Sequence, residues 1–265
     1  MYALNFVRKR QRRIIAAIVG GVGVTGVTTL SIAAFLGHQV GSFTVSLESK
    51  SAQLTLSETS DFKERSSFLR IDEVPEFHEF TYRNIKDLGD EVIDSEETNS
   101  TLGIKTTGKG ESATDFLKYT FFLKNVGTDS ARFDFSLQIK EMVASSQGLT
   151  FEDSFRVMVY EDGKDTVYAK KLAYPHEGAD GENDFRAPIS VDKSDATSIY
   201  PFEGYAESFV SSTEVMSKKG IELDVGEVKR YTVVTWLEGF RSSGDASAYE
   251  GASIKLGVEI NAYEN

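Results

Sequence analysis

The sequence predicts an all-β protein, an antiparallel β-sandwich of jelly-roll or immunoglobulin-like kind, preceded by one N-terminal transmembrane helix. Two observations support this prediction. From residue 41 onward, short runs of alternating apolar and polar residues recur, which is typical of half-buried strands, and no strong helical period occurs. Before residue 38, one long uncharged apolar stretch follows a basic cluster. The chain of 265 residues is 40% hydrophobic, which is enough for a core.

The first alternating runs are short. Phe43, Val45 and Leu47 form one apolar face, and Leu54 and Leu56 continue it after a break, either as the same bent strand or as a second strand. Two longer runs follow, KYTFFLKN and ARFDFSLQIKE, separated by a glycine-containing turn at residues 125–128. Because the turn has hairpin length, these two strands are predicted to pair with each other.

A second hairpin is predicted where the valine-rich runs on either side of Asp162-Gly163 meet, since this dipeptide favours tight primed turns. The runs KRYTVVTWLE and ASIKLGVEINAYE predict the last two strands. Three acidic, glycine-rich stretches, residues 87–115, 173–198 and 241–249, are predicted to be long loops. Loops of a sandwich gather at its ends, where binding sites are often built.

The N-terminal segment predicts the membrane topology. An uncharged run of residues 14–37 would span about 36 Å at roughly 1.5 Å per residue, enough for a bilayer core. Five basic residues precede it, Arg8, Lys9, Arg10, Arg12 and Arg13. The positive-inside rule therefore predicts a cytoplasmic tail (residues 1–13), a single-pass helix (14–37) and an extracellular domain (38–265) in the cell membrane. A cleaved signal peptide is the alternative, since a basic region before an apolar run also describes one.

Small residues recur every four positions along this segment and would let a second helix approach closely. They are Ala17, Gly21, Thr25, Thr29 and Ala33. A segment so rich in alanine, glycine and threonine also produces such a stripe by chance, so a lateral membrane partner is one of two interpretations.

The composition argues against several functional classes. The net charge of −12 disfavours nucleic acid as a partner, and the absence of cysteine removes thiolate metal sites and cysteine nucleophiles. His38, His78 and His176 have no metal-ligand spacing, and Tyr82 stands where a zinc-protease motif beginning at His78 needs its second histidine. No catalytic, cofactor or metal site is therefore predicted, and we do not expect an enzyme.

Acidic side chains are the remaining candidate ligands. Glu177, Asp180, Glu182 and Asp184 lie close together in one predicted loop, but their spacing does not match an EF-hand. A solvated acidic loop is favoured over a calcium site, because clustering alone does not provide convergent ligands. Glu238 and Asp245 are likewise either solvated carboxylates or calcium ligands.

Taken in order, the N-terminal apolar segment, FTVSLE, KYTFFLKNVGTDSARFDFSL, KRYTVVTWLEG and the terminal YEGASIKLGVEINAYE resemble the TasA/camelysin group of exported Gram-positive bacterial proteins. The resemblance covers about half of the chain in scattered blocks. It implies a cell-surface or biofilm-matrix protein with a jelly-roll fold that forms fibres, in which an N-terminal strand completes the sheet of the next subunit. A metalloprotease activity is sometimes ascribed to camelysin-like proteins, but no matching set of metal ligands is found in this sequence.

In this chain, the corresponding segment comprises residues 41–48, with Phe43, Val45 and Leu47 as the candidate contacts. The alternative is that this strand pairs within its own domain, as edge strands usually do. We therefore expect a structural or adhesive surface protein whose partners are the membrane and further copies of itself or other surface proteins. An extracellular ligand-binding or sensory accessory domain that uses the acidic loops is the alternative function.

Overall fold

The computed structural model describes residues 40–49, 53–74, 79–80, 82–87, 89–93, 116–148, 150, 152, 154–177, 181–187, 189, 204–238 and 251–264. In chain order the elements are β1 (Val40–Ser49), β2 (Leu54–Ser57), β3 (Phe68–Val74), β4 (Glu79–Phe80), α1 (Tyr82–Asp87), α2 (Asp90–Ile93), β5 (Phe116–Asn125), β6 (Ala131–Val143), β7 (Phe155–Glu161), β8 (Lys164–Ala169), β9 (His176–Glu177), β10 (Asn183–Asp184), β11 (Glu207–Ser208), β12 (Glu214–Leu223), β13 (Val228–Glu238) and β14 (Ser253–Glu264). The described domain is all-β apart from two short helices.

The strands form two main sheets. The first sheet has the order β12-β6-β14-β1-β3. The second has the order β11-β8-β7-β13-β5-β2, with β4 beside the end of β13, and β9 and β10 form a small separate hairpin. Among the described strands three pairs are parallel, β1 with β14, β8 with β11 and β13 with β4, so both main sheets are mixed. The prediction of a wholly antiparallel arrangement is wrong at these pairs.

Side chains of both main sheets share one hydrophobic core. Alternate residues of β6 are buried, and residues of β1 and β14 join them from the same sheet. Phe43 of the first sheet lies 5.4 Å from Tyr119 of the second, and Phe135 lies 4.6 Å from Tyr231, both measured between ring centroids. The alternation seen in the sequence therefore marks the faces that meet between the sheets.

The predicted pairing across residues 125–128 is wrong. β5 belongs to the second sheet, where it pairs with β13 and β2, whereas β6 belongs to the first sheet, between β12 and β14. The turn therefore connects the sheets. Hydrogen bonds of the Asn125 side chain hold this turn. Its amide group donates to the carbonyls of Asp129 and Leu223, and its Oδ1 accepts from the backbone N–H of Gly127. The two aromatic faces then meet across the core instead of lying side by side.

The hairpin at Asp162-Gly163 is confirmed. β7 and β8 are antiparallel, and Glu161 pairs with Lys164 across a two-residue turn. Asp162 and Gly163 have φ angles of 49° and 86°. Two successive positive φ angles are characteristic of a primed turn, for which Asp-Gly is well suited.

The sequence pattern predicts strands that are buried on one face only. The central strands of the second sheet are instead buried on both faces. A second core covers their outer face, built around Trp236, Met158 and Val234. The covering residues come from α1 and α2 (Ile85, Ile93) and from the predicted loop 173–198 and its continuation (Ala187, Ile189, Ala206). Parts of two predicted loops therefore have a packing role. We call the two helices α1 and α2 together the helical pad.

Candidate functional site

The candidate assembly strand, β1, lies inside the first sheet. It pairs in parallel with β14 over ten positions, from Val40 opposite Ser253 to Ser49 opposite Ala262, and antiparallel with β3 on its other side. Phe43 and Val45 are fully buried and Leu47 is 8% exposed. The first described strand of the chain thus fills a slot beside the last one, and its departure would leave β14 and β3 with unpaired edges.

The contacts of β1 depend on its backbone and its apolar face. On its polar face, Ser46 Oγ donates to the carbonyl of Val258 at 3.2 Å, and Thr44 Oγ1 reaches the carbonyl of Leu256 at 3.5 Å. On its apolar face, Phe43 packs against Tyr119 of the second sheet. A β1 strand from a second copy would present the same groups to the same slot, because the sequences are identical.

The flank beside β1 is closed by the connection between β2 and β3. The Leu47 N–H of the first sheet donates to the carbonyl of Ser67, and the adjacent Ser66 exchanges two backbone hydrogen bonds with Leu56 of the second sheet, each at 2.9 Å. The residue pair 66–67 therefore joins the two sheets.

The opposite flank contains a cleft of about 230 Å³ between β12 and the β7–β8 hairpin. Val159, Met216 and Tyr231 form the less polar part of the cleft. Lys218 of the first sheet forms an ion pair with Glu161 of the second sheet. Glu161 also accepts from the Tyr231 hydroxyl at 3.4 Å. Burial and the negative charge of Glu161 raise the pKa of Tyr231, so its hydroxyl stays protonated. No sequence pattern indicates this cleft, because its lining comes from four separate strands.

A buried carboxylate lies at the end of β13. Glu238 is 2% exposed, and its Oε2 accepts from the Trp236 indole N–H at 2.9 Å and from the Tyr82 backbone N–H at 3.4 Å. Its Oε1 has no hydrogen-bond partner among the described residues. Burial raises the pKa of Glu238 to about 7, although the Trp236 hydrogen bond, the charge of Arg156 and the Tyr82 N–H all act in the opposite direction. Strongly shifted groups of this kind are often found at functional sites.

The described members of the acidic cluster do not converge. Asp184 forms a two-pronged ion pair with Arg186, while Glu177 and Glu182 are exposed. Asp180 and Asp245 lie outside the described residues, as do His38 and His78, and His176 is in β9. In the described part of the chain, no group of three or more acidic or histidine side chains is arranged to hold a metal ion.

The residues that carry the topology prediction, Arg8 to Arg13, and the small-residue stripe from Ala17 to Ala33 lie outside the described residues. Among the residues that are described, no helix is both long enough and apolar enough to cross a membrane. In comparisons with known proteins, no family model, no curated protein and no solved structure matches this chain.

Proposed function

We propose that this chain is a membrane-anchored structural or adhesive protein of the cell surface, with a cytoplasmic N-terminus and an extracellular jelly-roll or immunoglobulin-like sandwich. The proposal includes a non-enzymatic role and a relationship to the TasA/camelysin group. The basic cluster and apolar run before residue 38 support the anchor. Two sheets that share one core support a sandwich.

The observation that carries the assembly part of the proposal is the slot of β1. A strand near the beginning of the chain, held between β14 and β3, is connected to the rest of the described domain only through the segment leading to β2. Exchange of β1 between copies would preserve the ten paired positions and the three buried side chains. Such exchange of identical elements is a low-cost route to oligomers.

The energetics set the conditions for this exchange. Leaving the slot exposes Phe43, Val45 and Leu47, and burying each such side chain stabilises a protein by about 1.5–3 kcal/mol. The incoming strand restores this contribution, so the net cost lies in ordering the connecting segments and in associating two chains. Assembly is therefore expected to be slow to begin and to increase with concentration.

The experiment uses residues 38–265, which include every described strand of both sheets. Light scattering after size-exclusion chromatography should show oligomers that grow with concentration. An excess of a synthetic peptide of residues 38–50 should stop this growth by filling open slots, whereas the same peptide with Val45→Asp should not, since it would bury an unpaired charge. A monomer at every concentration, or equal inhibition by both peptides, would contradict strand exchange.

A ligand-binding accessory domain is the second candidate, and the cleft beside β12 is the observation that favours it. Its lining is mainly polar, and the Glu161–Lys218 pair beside Val159 and Met216 would offer both charged and apolar contacts to a small polar molecule. Chemical-shift mapping with a panel of small polar metabolites tests this role. Shifts confined to residues around Tyr231 and Met216 would support it, and a panel without such shifts would count against it.

A further inference from the structure

The helical pad is attached to the second sheet at two places with different chemistry. At one place, Lys86 forms ion pairs with Asp90 of the pad and Asp165 of β8, the latter at 3.4 Å. The Tyr160 hydroxyl of β7 donates to Asp90 at 2.8 Å, and Lys86 Nζ lies 5.8 Å from the centroid of the Tyr160 ring. This attachment combines ion pairs, a hydrogen bond and a cation–π contact.

The first attachment keeps its charges across the neutral range. Hydrogen bonds from Lys86 and Tyr160 lower the pKa of Asp90. Burial alone would lower the pKa of Lys86, but the hydrogen bond and charge of Asp90, together with Asp165, outweigh it, and the pKa is raised. Between pH 5 and 9, Lys86 therefore stays positive and Asp90 negative.

The second attachment is Glu238. Its Oε2 accepts a hydrogen bond from the Tyr82 backbone at the first residue of the pad and from the Trp236 indole of the sheet. Arg156, on the neighbouring strand β7, is the charged group that faces it, and β4, which runs beside this end of β13, includes Glu79. With Oε1 left without a partner among the described residues, an ionised Glu238 lacks part of the solvation it would have in water.

We infer that Glu238 controls the attachment of the helical pad to the second sheet in response to pH. The pad stays closed when Glu238 is neutral and loosens when Glu238 is ionised. Opening at Tyr82 admits water to the carboxylate and removes the desolvation that disfavours its charge. The pad then remains joined through Lys86 while the apolar outer face around Trp236, Met158 and Val234 becomes accessible. This device is independent of strand exchange, since β1 belongs to the other sheet.

The expected direction follows from the raised pKa of Glu238. Its folded-state value of about 7 lies above its ordinary value of 4.5, so the closed pad binds the proton more tightly than the open, hydrated one. Raising the pH through 7 should therefore favour opening. At one pKa unit for each tenfold change, and with half of the open-state carboxylates already ionised at pH 4.5, the opening equilibrium should rise by up to about 150-fold between pH 4.5 and pH 8.5.

The test has two readouts on the full-length chain in detergent micelles. Trp236 is the one tryptophan of the chain, so its fluorescence reports on the carboxylate bonded to it. The fluorescence should titrate with a midpoint near pH 7 in the wild type and in Glu222→Gln, a control at an exposed carboxylate, but not in Glu238→Gln. A midpoint retained in Glu238→Gln would overturn the assignment.

Hydrogen exchange measures the opening of the helical pad separately from the ionisation of Glu238. Corrected for intrinsic rates, the amides of Ile85 and Ile93 should exchange at least tenfold more readily at pH 8.5 than at pH 5, and faster than core amides such as those of Phe135 and Val258. Pad amides that exchange only as fast as the core at both pH values would overturn the inference. This measurement needs only the wild type, so it can overturn the inference even where Glu238→Gln fails to fold.

Discussion

Five buried aromatic rings connect the two sheets through the shared core. Successive centroid distances along Phe43, Tyr119, Phe121, Tyr231 and Phe135 are 5.4, 6.2, 5.5 and 4.6 Å. None of these side chains is more than 1% exposed. The shortest distance joins β6 to β13, that is, the first sheet to the second, so Phe135 is the position at which the packing of the two sheets is best tested.

Truncating this ring should be costly. Phe135→Ala removes a fully buried side chain from between Tyr231 and its neighbours, and such truncations cost about 3–5 kcal/mol through lost transfer free energy and the cavity left behind. We expect about 4 kcal/mol, a large part of the roughly 5–15 kcal/mol by which folded domains are stable. Urea unfolding followed by Trp236 fluorescence measures the difference.

The matched control is Phe68→Ala, at the edge of the first sheet, where the ring is 52% exposed. It should cost less than about 1 kcal/mol. A double-mutant cycle of Phe135→Leu with Tyr231→Leu should give a coupling energy of about 0.5–1.5 kcal/mol for the stacked pair. Equal costs for Phe135→Ala and Phe68→Ala, or a coupling energy of zero, would refute the shared core.

Three further predictions concern the turns and the buried carboxylate. Asn125→Ala should lower the free energy of unfolding by about 2–3 kcal/mol, because three hydrogen bonds are lost and the Leu223 carbonyl loses its donor; urea unfolding measures it. Gly163→Ala should cost about 1 kcal/mol, because φ is +86°, and an unchanged urea midpoint would contradict the strain. As pH rises from 4.5 to 8, the wild type should lose about 3 kcal/mol of unfolding free energy through Glu238, whose pKa is about 7 when folded against 4.5 when unfolded. Glu238→Gln should lack this loss, and parallel pH profiles of the two proteins would contradict it.

Strand positions were predictable where one face of a strand is apolar. The alternation in β1, β5, β6, β13 and β14 follows from the core between the sheets, and the primed turn at Asp162-Gly163 has a local signature. Strand β12 was missed, because its exposed segment Ser217-Lys218-Lys219-Gly220 carries no alternation and its register shifts near Gly220. Charges and irregular register are common on edge strands, which need protection from unwanted pairing.

Pairing partners were less predictable than the strands themselves. The turn at residues 125–128 has the length of a hairpin, yet its outcome depends on the contacts of Asn125 with Leu223, about one hundred residues away. The parallel pairing of β1 with β14 likewise joins the two ends of the described chain. No local signal encodes such contacts, since they arise from the packing of the whole sheet.

The candidate site residues were likewise predictable only where a local sequence pattern marks them. The sequence identified Phe43, Val45 and Leu47 as one apolar face, and their role in assembly stays a prediction. The sequence indicates Glu238 only as one of two acidic residues near a predicted loop, because its burial and its contacts with Tyr82 and Trp236 form only in the folded domain. The cleft depends on the separation of β12 from β8 at the open flank, a tertiary feature that no single segment records.

The most direct test of the proposed function asks in which copy β1 sits. The chain has no cysteine, so a Ser46→Cys, Glu259→Cys variant has only two thiols, at directly paired positions of β1 and β14. The matched control is Ser136→Cys, Glu259→Cys, which pairs β6 with β14 without involving β1. Oxidised after concentration and separated on a non-reducing gel, the first variant should form a ladder of covalent oligomers and the control only monomers. A first variant that oxidises entirely to monomer at every concentration would contradict strand exchange.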